Sequence, residues 1–195
     1  MYTTDVLKKR MIDGAYDAEL TRLYPAGTID AQRKRYCRVI GEFEEFYGEG
    51  REAGLFSAPG RTEIGGNHTD HNRGRVLAAS VNLDAIAVAA KSEGTVVNVK
   101  SEGYAMDTVD ISDLKPHEKE FGKSRALVRG VCSEFKRRGY NVGAFDATTA
   151  SDVLSGSGLS SSAAFEVLLG TIVNHLFNDG KVSDVEIAQI AQAAE

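Results

Sequence analysis

The order of segments along the chain predicts an α+β fold. Strand-like runs cluster between residues 54 and 100, and helical patterns follow from residue 123 with one strand candidate between them. Strands followed by helices with only local alternation favour α+β over a regular doubly wound sheet. With 195 residues and 42% apolar content the chain suits one domain. A chain of that length buries about 70% of the surface that its unfolded form exposes.

Residues 4 to 13 and 30 to 47 have helical character, and in YCRVIGEFEEFYG Val39, Phe43 and Phe46 fall close to one face. Gly48 and Gly50 stop the second helix. Within it, the basic run Gln32-Arg33-Lys34-Arg35 is followed by Glu42, Glu44 and Glu45, a pattern that reads as a solvated helix face. The stretch GLFSAPGRTEIG, residues 54 to 65, predicts a strand that enters a loop at Pro59-Gly60. Arg75 to Ala90 gives two strand-like runs, and Thr95 to Lys100 a third that is rich in valine.

Lys123 to Gly139 predicts a helix with Leu127, Val131 and Phe135 on one stripe and a glycine at its end. Val142 to Ala150 is a strand candidate that feeds a glycine-serine segment, and Ser160 to Phe177 follows as an apolar helix. A last helix opens after Val182, with Ser183 as its cap and Glu186 three residues on. Its pattern, DVEIAQIAQAAE, runs to residue 195 without a glycine, asparagine or proline to end it, so the helix reads as cut.

A net charge of −5 argues against a nucleic-acid-binding surface or a basic membrane patch. The most apolar stretch, VLAASVNLDAIAVAA, is interrupted by Asn82 and Asp84 and is too short to cross a bilayer. The N-terminal MYTTDVLKKRM is not a secretory signal. Cys37 and Cys132 fall in two separate helical segments, with neither metal spacing nor a disulfide framework. A reducing cytoplasm is the compartment that this predicts.

The segment SGSGLSSSAAFEVLLG, Ser155 to Gly170, joins a strand to a helix through bare backbone. The first N–H groups of a helix lack internal partners and carry partial positive charge, which favours anions. Gly156 and Gly158 let the backbone approach a phosphate, and Ser160, Ser161 and Ser162 add hydroxyls for phosphate oxygens or hydrated Mg²⁺. A loop with a serine N-cap fits the same residues. No lysine follows the second glycine, so this is not a Walker loop. Gly122-Lys123-Ser124 is a chance match, with His117 at the upstream glycine position.

A second cluster, GRTEIGGNHTDHNRG at residues 60 to 74, brings together Arg61, Asn67, His68, Asp70, His71 and Asn72 among four glycines. His68, Asp70 and His71 resemble the metal loop of binuclear hydrolases. Against that, Gly66 stands where the first histidine belongs, and His117 and His175 have no ligand spacing. The same carboxylate, amide and imidazole groups suit hydrogen bonds to the hydroxyls of a small sugar. A turn held by Asx-type bonds is the third reading.

Taken together, Ser57-Ala58-Pro59-Gly60-Arg61 followed by Gly66-Asn67-His68-Thr69-Asp70 resembles the galactokinase signature A-P-G-R-x-N-x-I-G-E-H-T-D-Y-N. Gly156-Ser157-Gly158-Leu159-Ser160-Ser161-Ser162-Ala163 is similar to the G-x-G-L-S-S-S-A phosphate motif of the same family. That family belongs to the galactokinase, homoserine, mevalonate and phosphomevalonate (GHMP) kinases. The resemblance implies a single N-terminal GHMP-kinase domain over residues 1 to 195, like the second domain of ribosomal protein S5. The implied reaction is ATP-dependent phosphorylation of a sugar C1 hydroxyl, with ATP and Mg²⁺ as cofactors.

By the same resemblance Arg61 stabilises the reacting groups, while Asn67, His68 and Asp70 bind the sugar. Gly156, Ser157, Gly158, Leu159, Ser160, Ser161 and Ser162 hold the nucleotide, and Ser162 and Glu195 hold Mg²⁺. Asn67 stands where the family has glutamate, His71 replaces a tyrosine, and Leu154-Ser155 replaces the proline-containing entry to the loop. These departures leave the particular sugar open, and they are also compatible with a non-catalytic sugar and nucleotide sensor. The family's catalytic aspartate follows the position of Glu195, so the resemblance implies a partner in the missing C-terminal half and little turnover by the 195 residues alone.

Overall fold

The computed structural model describes residues 1–66, 74–154, 156 and 158–195. In chain order the elements are β1 (Tyr2–Thr3), α1 (Thr4–Ile12), α2 (Asp17–Leu23), α3 (Ile29–Tyr47), β2 (Glu52–Gly65) and β3 (Leu77–Lys91). They continue with β4 (Val96–Ser101), β5 (Asp107–Asp110), α4 (Ser124–Arg137), β6 (Phe145–Ser151), α5 (Ser161–Phe177) and α6 (Asp184–Ala194). The strands form one six-stranded sheet in the order β1-β2-β3-β6-β4-β5. Every pairing is antiparallel except β4 with β6. The α+β expectation holds.

Helices cover both faces of the sheet, which explains the unbroken apolar run in β3. Ala85, Ala87 and Ala89 point to one side, where they pack with Val131 and Phe135 of α4, Leu168 and Ile172 of α5 and Ile190 of α6. Ile86, Val88 and Ala90 point to the other side, against Leu7 and Met11 of α1 and Val39, Ile40 and Phe43 of α3. A strand buried on both faces cannot show polar alternation.

β2 and β3 form a long hairpin ladder, and this corrects two expectations. A single strand, Leu77–Lys91, replaces the two runs expected from 75 to 90, and β2 does not enter a loop at Pro59-Gly60 but continues to Gly65. Pro59 is tolerated because β1 pairs only at Glu52 and Ala53, so β2's far edge asks for no N–H there. The ladder shifts register between Pro59 and Arg61, turning the strand as it reaches the site.

The basic run on α3 is only partly a solvated face. Arg35 turns inward, its side chain 9% exposed, and donates to Asp84 Oδ1 at 2.6 Å and to the Asp84 carbonyl at 3.0 Å. Asp84, which looked like a mere interruption of an apolar strand, also accepts from Tyr24 at 2.6 Å and from Ser57 at 2.5 Å. Burial, the neighbouring Tyr36 and the hydrogen bond to Asp84 push the Tyr24 phenol well above its ordinary pKa. Arg35 reaches Asp152 as well, at 3.3 Å.

Phe46 departs from the expected stripe. Val39 and Phe43 are fully buried, yet Phe46 is 43% exposed. Tyr47 takes the inner place instead, donating to the Ala147 carbonyl at 3.1 Å, while the Phe46 ring lies under the Lys100 ammonium. The sequence reading also passed over α2, β1 and β5, which are too short for periodicity to register. In contrast, α6 begins as read, with the Ser183 hydroxyl accepting the Glu186 N–H at 3.3 Å.

Removing Arg35 strands the Asp84 charge in the interior. Arg35→Ala should lower unfolding stability by about 3 kcal/mol or more. Lys181→Ala, which breaks the exposed pair with Asp179, should cost less than about 1 kcal/mol. Urea unfolding of the two variants checks both values.

Candidate functional site

The site forms where the end of β2 meets the start of α5. β6 ends at Ser151, and the Asp152 N–H is held by the Asp84 carbonyl at 2.9 Å, so the same residue that anchors α3 also aims the exit of β6. Val153 is then buried, and the chain turns through Gly156 and Gly158, both at φ 75°. That is left-handed backbone, which glycine adopts without a Cβ penalty. A Cβ added at either glycine meets no described atom within 4 Å, so open space lies beside both.

Ser160 is also left-handed, at φ 56° and ψ 58°, and α5 begins one residue later than expected, at Ser161. A non-glycine residue in this region is held against its preference and marks a place where the surroundings dictate the backbone. The surroundings here are β2. The Arg61 N–H donates to the Leu159 carbonyl at 3.0 Å, and the Arg61 guanidinium donates to Ser160 Oγ at 3.1 Å. Gly60 fits between Val153 and Leu159; a Cβ there would lie 3.1 Å from the Leu159 oxygen and 3.1 Å from a Val153 methyl. The two sequence clusters are therefore in contact.

The first turn of α5 points its free N–H groups into the same region. Ser162 is exposed on that turn, and its hydroxyl donates to Glu195 Oε1 at 3.2 Å across 33 residues of chain. The crossing of α4 and α6 positions Glu195. Gly130 of α4 lies so close to α6 that a Cβ would come within 2.9 Å of the Ala194 carbonyl. Beside Ser162 and Glu195 opens a cleft of about 780 Å³, lined further by Leu114, Phe121, Lys123 and the half-buried Leu127. The Gly122-Lys123-Ser124 segment belongs to this rim, preceded by a 3₁₀ turn at Glu118–Glu120 rather than by a strand.

Of the predicted residues, the fold brings Arg61, Leu159 and Ser160 into one contact and Ser162 and Glu195 into another. Gly156 and Gly158 lie in the turn before the first contact, and Ser161 opens α5 between the two. Asn67, His68, Asp70, His71 and Ser157 lie outside the described residues. His117 pairs with Asp113 at 3.3 Å, and His175 packs near the Phe56 ring.

One residue escaped the sequence reading. Glu166 sits one turn below Ser162 on α5 and is 1% exposed, the most buried carboxylate in the site. Burial pushes its carboxyl up to about 7, and the Glu195 charge adds to the effect. Its only trace in the sequence is an acid within the apolar run AAFEVLLG.

A glycine loop at a helix start, docked against a strand that delivers an arginine, defines the N-terminal domain of a GHMP kinase. The GHMP kinase N-terminal domain model matches residues 126–195, and the galactokinase galactose-binding signature matches residues 41–91. The chain is similar to galactokinases over about four fifths of its length. It is 36% identical to the galactokinase of Clostridium tetani, covering 79% of this chain and 39% of that relative. It is 33% identical to the galactokinase of Lactococcus lactis, with the same coverage. The crystal structure of Lactococcus lactis galactokinase complexed with galactose superposes with a TM-score of 0.72 at 28% identity, over 79% of this chain and 40% of that one. Methanococcus jannaschii mevalonate kinase shares the fold, with a TM-score of 0.61 at 15% identity, covering 74% of this chain and 46% of that chain. The chain spans about two fifths of the length of the curated relatives it matches.

Two outcomes follow from this geometry. Gly60→Val should cost about 1–3 kcal/mol by overpacking. It should also speed hydrogen exchange at the Arg61 amide, because the bond to Leu159 is strained. Glu166 keeps its proton in the folded state up to about pH 7, whereas the unfolded carboxyl releases it near its ordinary value of 4.5. The stability this group contributes at low pH is therefore lost as pH rises to about 7. The melting-temperature advantage of Glu166→Gln over the wild type, measured without added metal, should grow across that interval and level off above it.

Proposed function

We propose that the protein of which this chain is part is an ATP-dependent sugar kinase of the galactokinase type, transferring the γ-phosphoryl group to the C1 hydroxyl of galactose or a closely related sugar. The observation that carries this reading is the contact between Arg61 and the Leu159–Ser160 backbone, because it sets a cation from the sugar signature beside the phosphate loop. The galactokinase relatives supply the reaction class. A structural relative with galactose bound supplies the sugar.

Phosphoryl transfer depends mainly on positioning and on neutralising charge. In this reading the backbone from Gly156 to Ser162, including Ser157, holds the phosphates, and the free N–H groups of α5 face their negative charge. Arg61 lies against the same loop and stabilises charge on the transferring group. Asn67, His68 and Asp70 hydrogen-bond the sugar hydroxyls. An amide at 67 keeps two donors and an acceptor but no charge, so the hydroxyl it meets is held less tightly than by a carboxylate.

Ser162 and Glu195 offer two oxygen donors in contact with each other at the mouth of the cleft, which fits a hard divalent cation such as Mg²⁺. When bound, Mg²⁺ would neutralise phosphate charge. The cleft beyond it, with Leu114, Phe121 and Leu127, has room and apolar surface for the rest of the nucleotide. In this reading the chain forms a single domain. Among the described residues no helix is long and apolar enough to cross a membrane. Both cysteines are free thiols, which supports a reducing cytoplasmic setting.

The test uses the whole protein that carries this chain, supplied with ATP, Mg²⁺ and a panel of hexoses, pentoses and amino sugars. The expected result is a sugar 1-phosphate detected by phosphorus NMR, with galactose or a close relative preferred. Arg61→Ala should lower kcat by about 10²–10³-fold with an unchanged melting temperature. No phosphorylation of any sugar would overturn the kinase reading. Tight sugar and nucleotide binding without turnover would favour the sensor instead.

A further inference from the structure

Glu166 has no part in the reading above, and its surroundings are hard to explain without a further group. It follows Ser162 by four residues on α5, so the two side chains lie on one face of the helix with Glu166 one turn deeper. The residue is 1% exposed. Its Oε1 atom has no hydrogen-bond partner among the described residues. Native proteins rarely leave a buried carboxylate oxygen unpaired, and where they do an ion or water is the usual explanation. The group whose charge acts on it is Glu195, another carboxylate, so the pair repels when both are ionised.

A cation between them removes both difficulties, since it satisfies the unpaired oxygen and offsets the repulsion. The available donors are the Ser162 hydroxyl and two carboxylates, all hard oxygen ligands. Neither imidazole nor thiolate is among these donors. Such a set suits Mg²⁺ or Mn²⁺, which retain water in the remaining positions, rather than zinc or copper.

We propose that Glu166 is the third protein group of a divalent-cation site formed with Ser162 and Glu195, its buried carboxylate facing the ion from beneath the first turn of α5. The inference rests on the sugar-kinase reading for the ion at Ser162 and Glu195, and adds the residue that supports it from inside. It also explains an acid in an otherwise apolar helix face, where leucine or methionine would pack more cheaply.

Mn²⁺ serves as the probe, titrated against this chain in mildly alkaline buffer while electron paramagnetic resonance reports free Mn²⁺. Wild type, Glu166→Gln and Glu195→Gln are compared, each checked for folding by circular dichroism. The expected result is one Mn²⁺ site displaced by Mg²⁺ and weakened about 10- to 100-fold in Glu166→Gln. A weakening below about fivefold in Glu166→Gln, with Glu195→Gln strongly impaired, overturns the role of Glu166 and leaves the kinase reading standing. A wild-type chain that binds no Mn²⁺, or three proteins that bind it equally, overturns the cation site as a whole. Should Glu166→Gln fail to fold, Glu166→Asp keeps the charge but withdraws it by one methylene. The same fivefold criterion then decides.

Discussion

The site depends on one docking contact, the end of β2 against the turn that precedes α5. The Arg61 N–H bonds the Leu159 carbonyl, and Gly60 leaves just enough room for Val153 and Leu159 to close on it. With that contact made, Ser160 is held in a left-handed conformation and α5 starts with its free N–H groups beside an arginine. Without it the two segments would be an irregular strand end and a glycine turn with no defined relation. A backbone bond and a missing Cβ fix this relation, which is why the glycine before Arg61 matters as much as the arginine.

The contact in turn rests on charges placed where the sheet can hold them. Asp84, opposite Pro59 on β3, gathers Arg35, Tyr24 and Ser57 on its side chain and the Asp152 N–H on its carbonyl. It thereby ties α2, α3, β2 and the exit from β6 to one point. Buried ion pairs seldom add much stability over apolar packing, but they penalise wrong arrangements heavily, and specificity is what a two-segment site requires. On the other face the close crossing of α4 and α6 at Gly130 carries Glu195 to Ser162. Two independent packing decisions, one on each face of the sheet, thus converge on the loop.

Much of the architecture was legible from residue order. The bounds of α4, the apolar α5 and the Ser183 cap of α6 all follow from local periodicity and capping chemistry, and they appear where read to within a residue or two, although the buried stripe of α4 takes Val128 with Val131 and Phe135 and leaves Leu127 half-buried. The failures share a cause. Arg35 looked solvent-facing, Asp84 looked like a mere interruption of an apolar stretch, and Glu166 was passed over, because a charged residue is read as exposed unless its partner is visible. Arg35 and Asp84 find each other 49 residues apart, and Glu166 is covered by packing against elements distant in the chain. Phe46 failed for the converse reason, since the right spacing does not ensure that a neighbour waits on that side.

By itself, the sequence determined the class of fold, the two motifs and their kinship with galactokinases, because these are recorded in local pattern and in the identity of successive residues. Only the tertiary structure decided that Arg61 touches the serine loop, that Ser162 meets Glu195, and that a buried glutamate stands beneath them. Those facts are distances between atoms brought together by packing on opposite faces of a sheet. Local propensity has no term for a contact that closes 33 or 99 residues of chain.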